Sequence, residues 1–363
     1  MFYLKRLTLQ NFRCYDQFFD QFSEKINILV GNNAVGKTSL VEAVHCAGLG
    51  KSHKALNDQE LVKNNENYAF VKAEFTDNDK NDEIVFSIMN GKKKLQQNGK
   101  LKERLSDYFG YINVVMFSSD DLNLVKGTPA NRREFLDGGI SQNNNVYLRA
   151  LLNYRKYLKQ RNEFLKQTDQ TKAFDELLLE TITEKLIKEA KTIIFERQSF
   201  IEAINEQLKT INYEISDEKD AGKIVYLPNR QISELENAYK ERRTVDLALR
   251  TTTIGPHRDD FMPLINEKSA ISYASSGQQR TLSLALKLSL AEICKTKNSR
   301  LIIILDDVFS ELDSNRQNQI MKYLDKGYQI FITTTSIDVL SPQIIQKSKI
   351  MKITKEGPDE RQQ

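Results

Sequence analysis

The chain has 363 residues, 40% hydrophobic and 28% charged. That is ordinary globular usage and excludes a miniprotein, a collagen-like repeat and global disorder, while the length allows two or three domains. Lysine and arginine total 53 against 49 acidic residues, a net charge of +4. This is too small to argue by itself for a polyanionic partner, so any basic surface has to be local.

From the amino terminus, Lys5 and Arg6 interrupt the apolar stretch Met1 to Gln10. No run of about 18 uncharged apolar residues follows, so neither a secretory segment nor a membrane span is present and the chain reads as cytoplasmic. Lys25 to Val30 alternates and then becomes fully apolar, a strand; Gly31 opens a loop, and Thr38 onward has the spacing of a helix ending at Gly48 or Gly50. Short alternating segments between about 65 and 115, with Asn90-Gly91 as a hairpin signal, predict a small antiparallel β region. Between Gly139 and Gly222 there is no glycine, and between Pro129 and Pro228 no proline, so this stretch is expected to be helical. Leu186, Ala190, Ile193, Arg197, Phe200, Ile204, Leu208 and Ile211 recur at helical steps, and the polar cluster Gln167 to Lys172 is expected to turn the chain back from an earlier helix around Val146 to Leu165. Leu301 to Leu305 and Gln329 to Thr333 read as buried parallel strands, and the polar tail Gly357 to Gln363 as frayed. Thr281 to Leu290 alternates like a strand but has helix-forming composition.

Cys14, Cys46 and Cys294, with His45, His53 and His257, have no metal-ligand spacing. His45 and Cys46 are adjacent on a helix and point in different directions, which argues against a nucleophile pair.

The residues Gly31, Asn32, Asn33, Ala34, Val35, Gly36, Lys37 and Thr38, followed by Ser39, fit the pattern G-x-x-x-x-G-K-[ST] between a strand and a helix. Backbone N–H groups of such a loop wrap phosphates, Lys37 reaches the β and γ oxygens, and Thr38 offers a hydroxyl to Mg²⁺. The strand Leu301 to Leu305 delivers Asp306 and Asp307 at its carboxyl end, where ligands sit in parallel α/β sheets. Asp306 is expected to hold Mg²⁺ and Asp307 to orient or deprotonate an attacking water. The expected cofactors are ATP and Mg²⁺.

Twenty-nine positions before Asp306 lies Gly277, in Ser275-Ser276-Gly277-Gln278-Gln279-Arg280, which resembles the signature motif of ABC ATPases; Phe309 to Asp313 resembles their D-loop. Read this way, Thr281 to Leu290 is a helix whose N-terminus presents Ser275, Ser276, Gly277 and Gln278 to a γ-phosphate. Leu9 to Arg13, Asp121 to Gly127, Arg132-Arg133, Phe135 to Asp137 and Gly255 to Asp260 add a resemblance to the RecF family, recombinational repair proteins related to SMC ATPase heads. The resemblance implies an ABC-type α/β head, a mixed sheet core with helices plus the antiparallel region, formed by residues 1–128 and 254–363, with a helical arm, 129–253, inserted. It further implies ATP-dependent homodimerisation in which Ser275 completes the partner's site, slow hydrolysis, and DNA engagement in gap repair, replication restart and SOS induction with RecR and RecO. Arg13 is expected either to touch phosphates or to be solvated.

Three positions depart from that pattern: Asp307 stands where a glutamate is usual, Thr333 to Thr335 where a switch histidine is, and Phe117 to Asp120 lacks the glutamine of a Q-loop. Lys92, Lys93, Lys94, Lys100, Lys102 and Arg104, and separately Lys240, Arg242 and Arg243, are candidates to neutralise DNA phosphates, single-stranded, duplex or junction. Neither a recognition helix nor an aromatic stacking platform is visible. The rival readings are a P-loop kinase using Asp307 as base and a transporter's ATPase subunit.

Overall fold

A strand covered on both faces has no reason to alternate, and Leu301–Asp306 is such a strand: Leu301 to Leu305 are each at most 1% exposed. Burying five such side chains contributes roughly 1.5–3 kcal/mol apiece before the entropy of ordering them is counted. In the computed structural model, which describes residues 1–78, 80–167, 175–324, 327–354 and 357–358, this strand lies inside a six-stranded sheet. Its order is Gly357–Pro358, Ser348–Thr354, Ile26–Val30, Gln329–Thr334, Leu301–Asp306 and Asn113–Ser118. All neighbours are parallel except the first pair. The expected turn at Gln167 to Lys172 falls, beyond Gln167, outside the described residues, as does the tail after Pro358.

The chain divides into two compact units, residues 1–121 with 287–363, and residues 122–286. The first unit holds the parallel sheet and an antiparallel one, ordered Tyr15–Gln21, Phe2–Phe12, Tyr68–Asp77, Lys80–Met89, Lys92–Gln97 and Lys100–Leu101. Asn90 and Gly91 both have positive φ, 50° and 71°, as the predicted two-residue hairpin requires. Asn113–Ser118 joins the parallel sheet, so the antiparallel region ends earlier than 115 and instead recruits the first two strands of the chain.

The second unit is built on the glycine-free stretch. Asn145–Gln167 and Glu176–Ile215 are helices, the latter 40 residues and so about 60 Å long. All eight positions picked out by their helical recurrence are buried. Gly222–Leu227 pairs with Asp260–Ile265, which ties residues after 254 to the helices before them. Compactness therefore sets its second boundary at 286/287, inside the helix Ser276–Lys297. Thr281 to Leu290 is part of that helix; its strand-like alternation is overridden by the long run of helix formers around it.

Arginines are buried here with carboxylate partners. Arg161 and Asp246 pair at 2.7 Å with side chains 1% and 0% exposed. The Arg197 guanidinium donates to Asp137 at 2.8 Å, to Asp259 at 2.9 Å, to the Pro256 carbonyl at 2.7 Å and to the Tyr147 hydroxyl at 3.1 Å.

Burial pushes His45 down to about 3 and His257 down to about 4. His257 Nε2 donates to the Thr252 carbonyl, so its Nδ1 accepts from the Tyr154 hydroxyl and the ring is neutral. Folded values below the ordinary 6.5 mean that the unfolded chain takes up protons first. Stability is then fully present above about pH 6.5 and falls with acidification, by up to about 1.4 kcal/mol per pH unit for each histidine. Urea midpoints measured from neutral pH down to about pH 5 are expected to fall, and His257→Gln to flatten that fall.

Candidate functional site

The loop after Ile26–Val30 is shaped by two glycines. A Cβ at Gly31 would lie 2.4 Å from the Ile353 carbonyl oxygen. Gly36 has φ +106°, and a Cβ there would lie 2.6 Å from the Tyr15 hydroxyl and 2.8 Å from Cys14 Sγ. Asn32, Asn33 and Ala34 are exposed, Ala34 with φ +63°, and Val35 lies against Gly31. Gly36 caps the helix Lys37–Leu49, so the free N–H groups of its first turn face the loop's concavity.

Lys37 folds back over the loop, its Nζ donating to the carbonyls of Gly31 at 2.6 Å and Asn32 at 2.8 Å. Desolvation lowers its pKa, and the nearby carboxylates of Asp307 and Asp306 oppose that shift. The ammonium is thus held at the loop's mouth by neutral carbonyls that an anion can outcompete.

Thr38 Oγ1 donates to both oxygens of Asp306 at 3.1 Å. Two adjacent ligands of an octahedral Mg²⁺, each at about 2.1 Å, stand about 3.0 Å apart. The hydroxyl and the carboxylate therefore fit neighbouring positions on such an ion. Among the described residues no cluster of three or more His, Cys, Asp or Glu could hold a metal by itself, so Thr38 and Asp306 would leave most of an ion's positions to oxygens from outside the chain.

Asp306 and Asp307 are braced by a residue that the sequence marks only as the place of a missing histidine. The register sets Thr333 opposite Asp306; its hydroxyl donates to Asp306 Oδ1 at 2.6 Å and accepts from the Asp307 N–H at 3.0 Å. Asp307 itself has φ +55°, a turn that sends its side chain off the line of the strand. Ser118, in the segment lacking a Q-loop glutamine, is the register partner of Asp306 on its other side. Its N–H donates to Asp121, which Lys287 pairs at 2.9 Å.

Arg13 is tied to Glu42 and to the Glu60 carbonyl. It makes two 2.7 Å hydrogen bonds to Glu42 and one of 2.8 Å to the Glu60 carbonyl, and the hydrogen-bonded Glu42 carboxylate raises its pKa. Glu42 is 2% exposed on the helix that follows the loop; a lone carboxylate among the apolar positions of that helix was the available signal for it. His53 also went unforeseen: it is near Glu42 and Asp306, whose charges only partly offset the lowering of its pKa by burial. Cys14 is exposed and meets Ser39 through a long Sγ contact of 3.8 Å. Cys46 is buried with its pKa pushed well up, an inert thiol.

In the second unit, Ser275 and Gln278 cap the helix Ser276–Lys297. Ser275 N–H donates to Gln278 Oε1 at 3.0 Å and Gln278 N–H to Ser275 Oγ at 3.3 Å. Ser275 and Ser276 are exposed, and nothing lies within 4 Å of where a Gly277 Cβ would be. Glycine is therefore not required there by packing within the chain. Gln278 Nε2 also donates to both oxygens of Asp220.

Of the basic candidates, Lys93 pairs with Asp58 and Arg243 with Glu176, while Lys92, Lys94 and Lys240 are exposed.

The chain matches a family model described as RecF/RecN/SMC N terminal domain over residues 3–359. It is 38% identical over 364 residues to the DNA replication and repair protein RecF of Halalkalibacterium halodurans, covering 97% of each chain. It is 38% identical over 362 residues to that of Geobacillus kaustophilus, again covering 97% of each. Its structure is similar to that of the recombination mediator protein RecF with ATP in the RecFOR pathway, with a TM-score of 0.90 at 33% identity over 99% of this chain and 97% of that one. It shares a fold with the Smc head domain of Pyrococcus furiosus, with a TM-score of 0.57 at 17% identity over 99% and 96%.

Proposed function

This chain belongs to the RecF family, with the fold of the SMC-like ABC ATPase head, and on that premise we propose that it is an ATP-gated, dimerising DNA-binding protein. It acts in recombinational gap repair, replication restart and SOS induction, in the cytoplasm, together with RecR and RecO. The head comprises residues 1–128 and 254–363, and the arm 129–253 is inserted in it.

In this reading the loop Gly31–Gly36 and the first turn after it take the triphosphate, and Ser39 lies beside Lys37 and Thr38 in that turn. Lys37 moves from its carbonyl partners to the β and γ oxygens, a stronger charge-assisted contact. Thr38 and Asp306 would hold Mg²⁺, which would supply neutralisation of phosphate charge when bound. Asp307 orients the attacking water. Its side chain is one methylene shorter than glutamate and its backbone is turned aside, so hydrolysis is slow and the dimer long-lived.

The observation that carries dimerisation is the exposed helix end at Ser275. Ser275 and Ser276 are exposed, nothing lies within 4 Å of where a Gly277 Cβ would be, and Ile271 and Tyr273 beside them are 43% and 76% exposed. A phosphate-gripping surface rimmed by exposed apolar side chains is what a second copy would cover. No observation favours a small-acceptor kinase or a transporter subunit, and among the described residues no helix is long and apolar enough to cross a membrane.

Lys37→Met tests the first step. Removing the ammonium is expected to weaken ATP binding by about a hundredfold, the scale of one or two charge-assisted contacts, and to abolish ATP-dependent dimerisation. Calorimetric titration with ATP gives the affinity. A variant that binds as the native chain does would overturn the assignment.

A further inference from the structure

We infer that the outer face of the antiparallel sheet in the first unit binds single-stranded nucleic acid by stacking its bases, an inference that rests on the DNA-binding reading above and names the form of DNA. The platform combines two rings of one strand with groups that neighbouring strands bring beside them. In the strand Tyr68–Asp77, burial alternates, so Tyr68 and Phe70 share the outer face at half-buried positions. The register then places Gln10 and Ser87 beside Phe70, Met89 beside Tyr68, and Thr8 between Phe19 and Lys72. Phe19 is 58% and Met89 57% exposed.

Charge complementarity favours a polyanion as occupant over an apolar protein surface. The acidic residues at one end of this face are already matched: Lys72 pairs with Glu74 and Glu83, and Arg6 with Glu74. At the other end Lys92 and Lys94, register partners of Met89 and Ser87, are exposed and have no carboxylate partner among the described residues. They lie two strands, about 9–10 Å, from the rings, a distance suited to phosphates whose bases rest on Tyr68 and Phe70. The hydroxyl and amide groups of Thr8, Gln10 and Ser87 between the rings can hydrogen-bond base edges and make a poor dry interface.

Spacing selects the single strand. Successive outward residues of a strand are about 6.8 Å apart, whereas duplex bases rise about 3.4 Å per step. Bases seated on Tyr68 and Phe70 must therefore be spread to about twice the duplex rise, which pairing and stacking in a duplex forbid.

The chain contains no tryptophan, so Phe70→Trp puts a single indole on this face. With ATP and Mg²⁺ present, a short oligothymidylate is expected to quench that indole saturably and a blunt duplex of equal length to leave it unchanged. Phe70→Leu, which keeps an apolar side chain but no ring, is expected to weaken oligothymidylate binding by about tenfold and duplex binding little. Lys92→Gln with Lys94→Gln is expected to weaken binding and to reduce its salt dependence. An unquenched indole, equal quenching by the duplex, or native oligothymidylate affinity in Phe70→Leu would overturn the inference while leaving DNA binding intact. A native chain that shifts no DNA in a gel would overturn the DNA-binding reading as well.

Discussion

Chains carrying Ser275→Arg are expected to bind ATP as tightly as the native chain and to remain monomeric at concentrations where the native chain dimerises. Lys37, Thr38 and Asp306 belong to the first unit and are untouched by the change, whereas Ser275 belongs to the second. The substitution removes a hydroxyl from an exposed helix end and adds a long side chain where a second subunit is to seat its phosphate. Loss of one such central contact, with steric crowding added, is expected to weaken dimerisation by roughly a thousandfold. Mixing supplies the sharper measurement. In a pair made of Ser275→Arg and Lys37→Met, the first chain brings an intact phosphate loop and the second an intact Ser275, so one composite site of the two is restored. Static light scattering and ATP turnover are then expected to show dimers and partial activity that neither variant shows alone. Dimerisation of Ser275→Arg with native affinity would refute the shared-site scheme.

The second large effect is on stability. Arg197→Met is expected to cost about 3–5 kcal/mol, because it leaves Asp259 buried beside a side chain that no longer neutralises it, while Asp137 keeps Arg155 as a partner. Asp259 is 0% exposed and Asp137 13% by side chain, so water cannot replace the lost cation at Asp259. The Tyr226 hydroxyl donates to Asp259 and the Tyr147 hydroxyl to Asp137, hydrogen bonds that partly satisfy the carboxylates but supply no opposite charge. Arg197→Lys is expected to recover little, since one ammonium cannot donate in the four directions that the guanidinium serves. Urea unfolding followed by far-UV circular dichroism measures the loss. A decrease below about 1 kcal/mol would mean that the network is redundant.

This network also explains a stretch of sequence that names the family without revealing its purpose. Of Gly255 to Asp260, Pro256 and Asp259 receive Arg197, Asp260 pairs with Arg132, and His257 joins Tyr154. A Cβ at Gly255 would lie 2.3 Å from the Tyr154 hydroxyl, and φ there is +124°. The motif is the lock of the second unit, built from partners more than fifty positions away.

Local chemistry was enough to read the phosphate loop, the aliphatic strand ending in two aspartates, the asparagine-glycine hairpin and the long helix. Each depends on residues within a few positions: a glycine where φ is positive, an unbroken apolar run, a recurrence of three or four. What the chain alone left undetermined were pairings across strands. Thr333 became the brace of Asp306 and Asp307, Arg13 was drawn to Glu42, and Phe19 came to share a face with Tyr68 and Phe70 only once the sheets were in register. Sheet register is set by burial of whole faces and joins residues far apart in the chain, so no local spacing records it.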